Sequence, residues 1–350
     1  MYKLTMILPA FNVDDCLGQA MDSLINQTIG FENIEVIIVD DCSTDSTKEL
    51  IKHYENTYDN CKGIFLDKNN GGAGIPRNVG IKYATSNYLM FMDPDDEYEY
   101  DACEVFYDNI LSSNSDFVYS HWTFVAGDKL SKTSHPFLKE TKEFIFDDDD
   151  NIKNYHKYYR PGMCAGIYNK EFIINNNLEC TSELGEDSYF NLEAIFNAKK
   201  IMFIEYYGYY NKLRDNEEKQ SITNIRDEKR FKSRMKAVYL FYELLESYGC
   251  ENNLAIIYDE LKVLIYQVYT LMPSISNDIR RKFFNEIYDL EINLQVKQFD
   301  IIYFNFLNFF IINKHFKIAI FISNLLGRIY DNHLMRKLIR KVSLLISNNY

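Results

Sequence analysis

Apolar residues along this chain gather into short runs that end abruptly in polar ones. Residues 4–8 (LTMIL), 34–39 (IEVIIV) and 88–92 (YLMFM) are brief and mostly aliphatic, the length and composition of buried strands. Between the first two, Leu17, Met21, Leu24 and Ile25 recur at helical spacing. Strand, helix, strand with strands apolar on both faces predicts a parallel sheet covered by helices on each side. Pro9 closes the first strand ahead of a polar loop at 12–15, Asp40 and Asp41 close the second, and Asp93, Asp95 and Asp96 surround Pro94 after the third. Ligands of open α/β sheets bind beyond the carboxyl ends of the strands, so residues 9–12, 40–45 and 93–96 are expected to converge on one crevice. Three carboxylates crowded at a strand mouth repel one another and lose solvation. That arrangement suits a divalent cation or a positive ligand, against the plainer reading of a solvated acidic turn.

The same pattern extends along the chain. In CSTDST (42–47), Ser43 or Thr44 is expected to cap a helix starting near Lys48, and 63–66 forms a weaker strand. NNGGAGIPRNVG (69–80) is a glycine-rich loop entering a helix that begins near Arg77 and Asn78; its spacing is not the GxGxxG of dinucleotide-binding folds. A helix over 101–113, a strand at 117–119, a helix over 184–198 and a strand at 201–204 follow. Residues 126–155 are charged and low in periodicity, and the acid run 147–150 within them reads as a solvated loop. Past Arg226 helical periodicity dominates, with Phe231, Met235, Val238, Tyr242 and Leu245 on one face, similar runs at 254–272 and 279–288, and Pro273 between them. Three to six helices are expected there, ending in an amphipathic tail over 325–346.

Hydrophobic residues make up 47% of 350, which excludes general disorder and allows one large and one smaller unit. The net charge of -13 is uneven, because residues 301–350 carry +6 and the rest -19. An acidic body argues against a nucleic-acid partner, while a basic, apolar tail fits either a small bundle or peripheral contact with an anionic membrane. Seven scattered cysteines without a CxxC pair suit a reducing compartment. No signal-peptide pattern opens the sequence, and the longest apolar run, 301–313, is too short to span a bilayer, so a cytoplasmic protein is expected, resting on the inner face of the membrane or not.

ILPAFN, IIVDDCSTDST, NNGGAGIPRNVGI and FMDPDD, in this order, resemble the nucleotide-binding half of family 2 glycosyltransferases, and LGEDSYFNLEAIFNA resembles that family's Glu-Asp segment. The resemblance covers about residues 4–215 and implies an α/β GT-A fold: a Rossmann-like, mostly parallel sheet flanked by helices. On this reading 1–224 is the catalytic domain, with a nucleotide-sugar half to about 100 and an acceptor half after it, and 225–350 is a helical appendage. It further implies that Pro9, Phe11, Asn12, Asp41 and Asn70 line the nucleotide, that Arg77 sits at the nucleotide-sugar edge, and that Asp93 and Asp95 hold the ribose and a Mn2+ or Mg2+. Asp96 is left open. RPGMCAGIYNKEFI (160–173) resembles the segment facing the donor sugar, where Arg160 is a candidate phosphate contact beside a purely structural role, and Arg214 is a candidate for approaching the diphosphate. Asp187 corresponds to the family's base, with Glu186 positioning it or the acceptor.

The implied reaction is an inverting, metal-dependent transfer from a nucleotide diphosphate sugar, typically a UDP-sugar, to a glycan or lipid-linked acceptor hydroxyl. Neither a QxxRW motif nor membrane spans are present, as expected of a non-processive enzyme. The alternative is an inactive nucleotide-sugar-binding scaffold or partner subunit, which has no use for a base at Asp187. A nucleotidyltransferase would need a glycine-rich basic loop after the first strand, where PAFNVDD stands. Homo-oligomerisation is left open.

Overall fold

A computed structural model describes residues 1–147, 149–212, 227–250, 254–270, 275–294 and 302–331. The chain divides into two compact units, Met1–Ile222 and Thr223–Asn349. In chain order the first contains β1 (Leu4–Ala10), α1 (Leu17–Ile25), β2 (Ile34–Asp40), α2 (Thr47–Thr57), β3 (Cys61–Phe65), α3 (Gly74–Tyr83), β4 (Tyr88–Phe91), β5 (Glu97–Tyr98) and α4 (Ala102–Ser113). There follow β6 (Phe117–Ser120), β7 (Thr123–Ala126), β8 (Lys129–Lys132), β9 (Lys142–Ile145), α5 (Asp150–Lys153), β10 (Gly166–Asn169), α6 (Lys170–Asn175), α7 (Glu186–Asn197), β11 (Lys200–Ile204) and β12 (Tyr209–Lys212).

Eight strands form one sheet in the order β3-β2-β1-β4-β10-β6-β11-β9, and a second sheet runs β5-β12-β7-β8. β3, β2, β1 and β4 are parallel neighbours, β10 is antiparallel to both β4 and β6, and β9 is antiparallel to β11. The chain winds outward from β1 to β3 and then crosses to β4, so the topological switch point lies at β1 and β4. Every residue of β1 and β2 is buried, as both faces carry helices. Gly80 lets α3 lie directly on β1, since a Cβ there would meet Ile7 Cγ2 at 2.4 Å. Glu35 is a charge buried near the start of β2. Its carboxylate accepts from the Thr5 hydroxyl, the Thr85 N–H at 2.8 Å and the Thr85 hydroxyl at 2.9 Å, which satisfies the burial.

Two expectations are corrected by the strand register and the helix caps. Pro9 does not close the first strand: β1 continues to Ala10, pairing Pro9 with Val39 of β2. The carbonyl of Ile7 accepts from Met92 and that of Ala10 from Asp41, so Pro9's missing N–H faces the β4 side just where that pairing ends. Neither Ser43 nor Thr44 caps α2, whose N-cap is Ser46; Ser43 is occupied by Asn12. Residues 126–155, low in periodicity, nonetheless hold β8, β9 and α5, and β9 forms an edge of the main sheet.

The second unit contains, among the described residues, α8 (Glu228–Ser247), α9 (Ala255–Tyr269), α10 (Asn277–Asn293), α11 (Ile302–Ile312) and α12 (Phe316–Asp331). Phe231 of α8 stacks on Phe283 of α10 with ring centroids 4.0 Å apart. On the predicted face of α8, Phe231, Met235, Val238 and Leu245 are buried; Tyr242 is only half so, and its neighbour Phe241 is fully buried in its place. Arg280 is buried, donating to Ser323 Oγ at 2.5 Å and to the Ile275 carbonyl at 3.3 Å. The amphipathic tail runs past residue 331, outside the described residues. No helix of the described residues is long and apolar enough to cross a membrane.

Candidate active site

The carboxyl ends of β1 and β2 are stitched together by short-range polar chemistry. Asn12 takes a left-handed φ of 53°, a conformation asparagine tolerates better than most residues. Its N–H donates to Ser43 Oγ at 2.9 Å, and its side-chain oxygen accepts the Thr44 N–H at 2.8 Å. Asp40 turns back to accept from the Ser43 N–H at 3.2 Å. Asp41 is buried, and its carboxylate accepts the backbone N–H of Asn70 at 2.8 Å and the Asn70 side-chain amide at 2.6 Å. Asp41 therefore anchors the first residues of the glycine-rich loop. Phe11 stands 37% exposed on the loop after β1, unusual for a phenylalanine and apt for stacking.

Helix α3 ties this side to the later half of the unit. Arg77 is buried, yet each terminal nitrogen reaches a different carboxylate: Nη2 donates to Asp93 Oδ1 at 2.6 Å and Nη1 to Glu186 Oε1 at 2.9 Å. The next residue, Asn78, makes a reciprocal amide pair with Cys180, donating to its carbonyl and accepting its N–H, both at 2.8 Å. Gly74 closes the same seam, because a Cβ there would sit 1.9 Å from the Thr181 carbonyl oxygen. Contacts across 16 and 109 residues leave no trace in local spacing, so the sequence reveals Arg77 and Asn78 but not their partners.

The three acids after β4 divide their tasks. Asp93 and Asp95 are half-buried, Asp93 held by Arg77. Asp96 is 1% exposed and turned away onto β12, where its carboxylate accepts the Tyr209 hydroxyl, the Asn211 amide at 2.9 Å and the Lys212 N–H at 2.7 Å. Burial pushes its carboxyl well above the usual range, with Asp95 and Asp93 adding to the effect and the Tyr209 hydrogen bond opposing it. The sequence left Asp96 open; its partners make it structural. Tyr209 and Asn211 share one face of a period-2 strand, the one local signal that pointed to a common partner.

Helix α7 opens on Gly185, whose φ of 89° favours glycine, and presents Glu186 and Asp187 in its first turn. Glu186 is raised by burial and by Asp187, against the opposing pull of Arg77. Asp187 Oδ1 accepts the Ser188 N–H at 2.7 Å. Gly162, with a φ of 85°, brings its backbone beside the base candidate, since a Cβ there would lie 3.9 Å from Asp187 Oδ2. This residue had no sequence signal beyond being a glycine in the segment assigned to the sugar. Arg160 has the partners of a structural arginine: it is buried, lies 4.3 Å over the Trp122 ring, and donates to Thr133 Oγ1 at 2.9 Å and the Ser134 carbonyl at 3.1 Å. Burial lowers its pKa to about 10. Arg214 lies outside the described residues. All seven cysteines are free, five of them buried.

Asp93 and Asp95 offer hard oxygen ligands and Asp96 is spent on β12, so the donor set is two carboxylates. Among the described residues no three acidic, histidine or cysteine side chains are grouped to hold a metal. Two carboxylates fit Mg2+ or Mn2+ of the kind whose shell is completed by water and substrate phosphate, and do not fit an all-protein cage.

Residues 5–172 match the model of "Glycosyl transferase family 2". The chain is 29% identical over 225 residues to the poly(ribitol-phosphate) beta-glucosyltransferase of Bacillus spizizenii, a match covering 64% of this chain and 34% of the relative. It is 26% identical to the cholesterol galactosyltransferase of Borreliella burgdorferi, covering 81% of both chains. The crystal structure of Staphylococcus aureus TarS 1–349 in complex with UDP-GlcNAc superposes with a TM-score of 0.58 at 20% identity, over 95% of this chain and 92% of that one. Against three curated relatives the chain spans only 23% to 37% of their length. Residues 5–172, within a sheet of GT-A architecture, therefore form a family 2 glycosyltransferase domain in this chain.

Proposed function

We propose that this chain transfers one or a few sugars from a UDP-sugar to an acceptor hydroxyl on a surface polymer of teichoic-acid or polysaccharide type, with inversion and with Mn2+ or Mg2+. The observation that carries this reading is Arg77, which joins Asp93 of the acidic loop to Glu186 beside the base candidate through one guanidinium. A nucleotide pocket alone has no reason to be locked to the start of α7. The relatives' names support a UDP-sugar donor and a polyol-phosphate or glycan acceptor.

In this reading Asp41, with Asn70 and Asn12, binds the uracil, which Pro9 and Phe11 flank; Asp93 and Asp95 hold the ribose and the cation, and Arg214 approaches the diphosphate. When bound, the cation neutralises charge on the departing diphosphate. Asp187 takes the proton of the acceptor hydroxyl as its oxygen bonds to the anomeric carbon and the bond to the diphosphate oxygen breaks. One displacement inverts the centre, and no second carboxylate is needed as nucleophile. Glu186, held by Arg77, fixes the first turn of α7. The reaction is placed at the cytoplasmic face of the membrane, where lipid-linked acceptors are built.

A thermal-shift screen against UDP, GDP and their sugars, with and without Mn2+, tests this directly, because a ligand bound only to the native state raises the melting temperature. Stabilisation by UDP-sugars that requires metal is expected. Asp187→Asn should retain that shift and lose transfer by about 10²-fold or more. Loss of the shift in this variant would make Asp187 structural, and no shift with any nucleotide would overturn the proposal.

A further inference from the structure

Helices α11 and α12 of the second unit carry apolar side chains on both of their faces. On α11, Leu307 and Ile311 are buried, while Phe306 and Phe309 stand 55% and 52% exposed. On α12, Phe316 and Ala319 are buried, while Ile318, Phe321 and Leu325 are 48%, 70% and 53% exposed. A helix apolar all round belongs in a core or against lipid. The turn joining the two helices bears Lys314, and Lys317 follows in the first turn of α12, both exposed. Between residues 302 and 330 the sequence has no acidic residue, in a chain of net charge -13.

We propose that this face is a docking surface for an anionic lipid bilayer. α11 has 11 residues, about 16 Å at helical rise, against roughly 30 Å of hydrocarbon, so it lies in the interface and does not span. Exposed phenylalanines supply apolar insertion, and the lysines meet the negative headgroups. A second copy of this chain is the poorer occupant: an isologous pairing of this segment brings together two surfaces that carry Lys314 and Lys317 and no acidic residue between 302 and 330 to neutralise them. The inference is independent of the proposed chemistry, since every residue named is in the helical unit.

Flotation of the full purified chain with vesicles tests it. Binding to phosphatidylcholine vesicles containing phosphatidylglycerol is expected, with little to phosphatidylcholine alone. Phe309→Ser with Phe321→Ser should abolish flotation with the melting temperature unchanged, both side chains being largely exposed. Lys314→Asn, which keeps a residue tolerant of the left-handed φ of 54° at this position, and Lys317→Gln should each lower partition by roughly fivefold. Metal-dependent stabilisation by UDP-sugar is expected to persist in all these variants, so failure here is separable from failure of the proposed chemistry. Absence of flotation by the parent chain, equal partition into neutral and anionic vesicles, or a light-scattering dimer that the double serine variant dissociates would each overturn the proposal.

Discussion

Removing Arg77 tests the link between the two halves of the site by its energetics alone. The guanidinium is 3% exposed and divided between Asp93 at 2.6 Å and Glu186 at 2.9 Å. Arg77→Met keeps the stem and deletes both pairs. Glu186, 15% exposed, is then a buried carboxylate without its cation, a loss of about 3–5 kcal/mol. The Asp93 end is 36% exposed, so solvent screening limits it to about 1 kcal/mol or less. A total near 4 kcal/mol, at roughly 2–4 °C per kcal/mol for a unit of this size, lowers the melting temperature by about 8–16 °C. Adding Glu186→Gln removes the stranded charge, so the double variant should recover more than half of the loss. Circular-dichroism melts of the parent, both single variants and the double variant at pH 7 decide the matter. A drop under about 2 °C for Arg77→Met, or a further drop on adding Glu186→Gln, refutes the reasoning.

Asp95→Ala should weaken Mn2+-dependent UDP binding about tenfold or more by calorimetry and leave metal-free binding unchanged; unaltered affinity removes Asp95 from the metal site. Gly74→Ala must displace the Thr181 carbonyl, 1.9 Å from the new Cβ, and should cost about 1–3 kcal/mol in a denaturant titration, with a neutral effect disproving the close seam. Glu291 on α10 is 1% exposed, and burial pushes its pKa up to about 7 against the opposing side-chain hydrogen bond of Asn308. The unfolded value lies near ~4.3, so the folded state holds the proton more tightly; the stabilisation is complete below that value and is lost as pH rises through 7. Glu291→Gln should therefore melt above the parent at pH 8 and alongside it near pH 4, and a pH-independent difference would exclude titration of this group.

Strands β1, β2 and β4 were legible because parallel strands covered on both faces must be aliphatic along their length, and because Asp41 and Asp93 mark where burial stops. Helix α7 was legible from its apolar period and its acidic first turn. β8 and β9 were not: most of their residues are exposed, charged and apolar side chains alike, so the alternation that betrays a half-buried strand is missing. The site was legible as a set of residue types and not as a set of contacts. Arg77 stood out beside the glycine-rich loop, but Asp93 and Glu186 as its joint partners required tertiary structure. Arg160 is the converse case, a lone arginine near the expected sugar that Trp122 and Thr133 absorb into the fold.

Asp96 has a consequence for how this fold accommodates change. Because Tyr209, Asn211 and Lys212 converge on one carboxylate, strand β12 terminates on the loop that also carries Asp93 and Asp95. The Lys212 ammonium pairs with Glu97 and fastens the same corner. Whatever chain leaves residue 212 sets out from a collar fixed to the acidic loop, independent of its own length or composition. Insertions and deletions beyond that collar leave the floor of the crevice where it is, and the third acid of the motif is the rivet that makes such variation harmless to the other two.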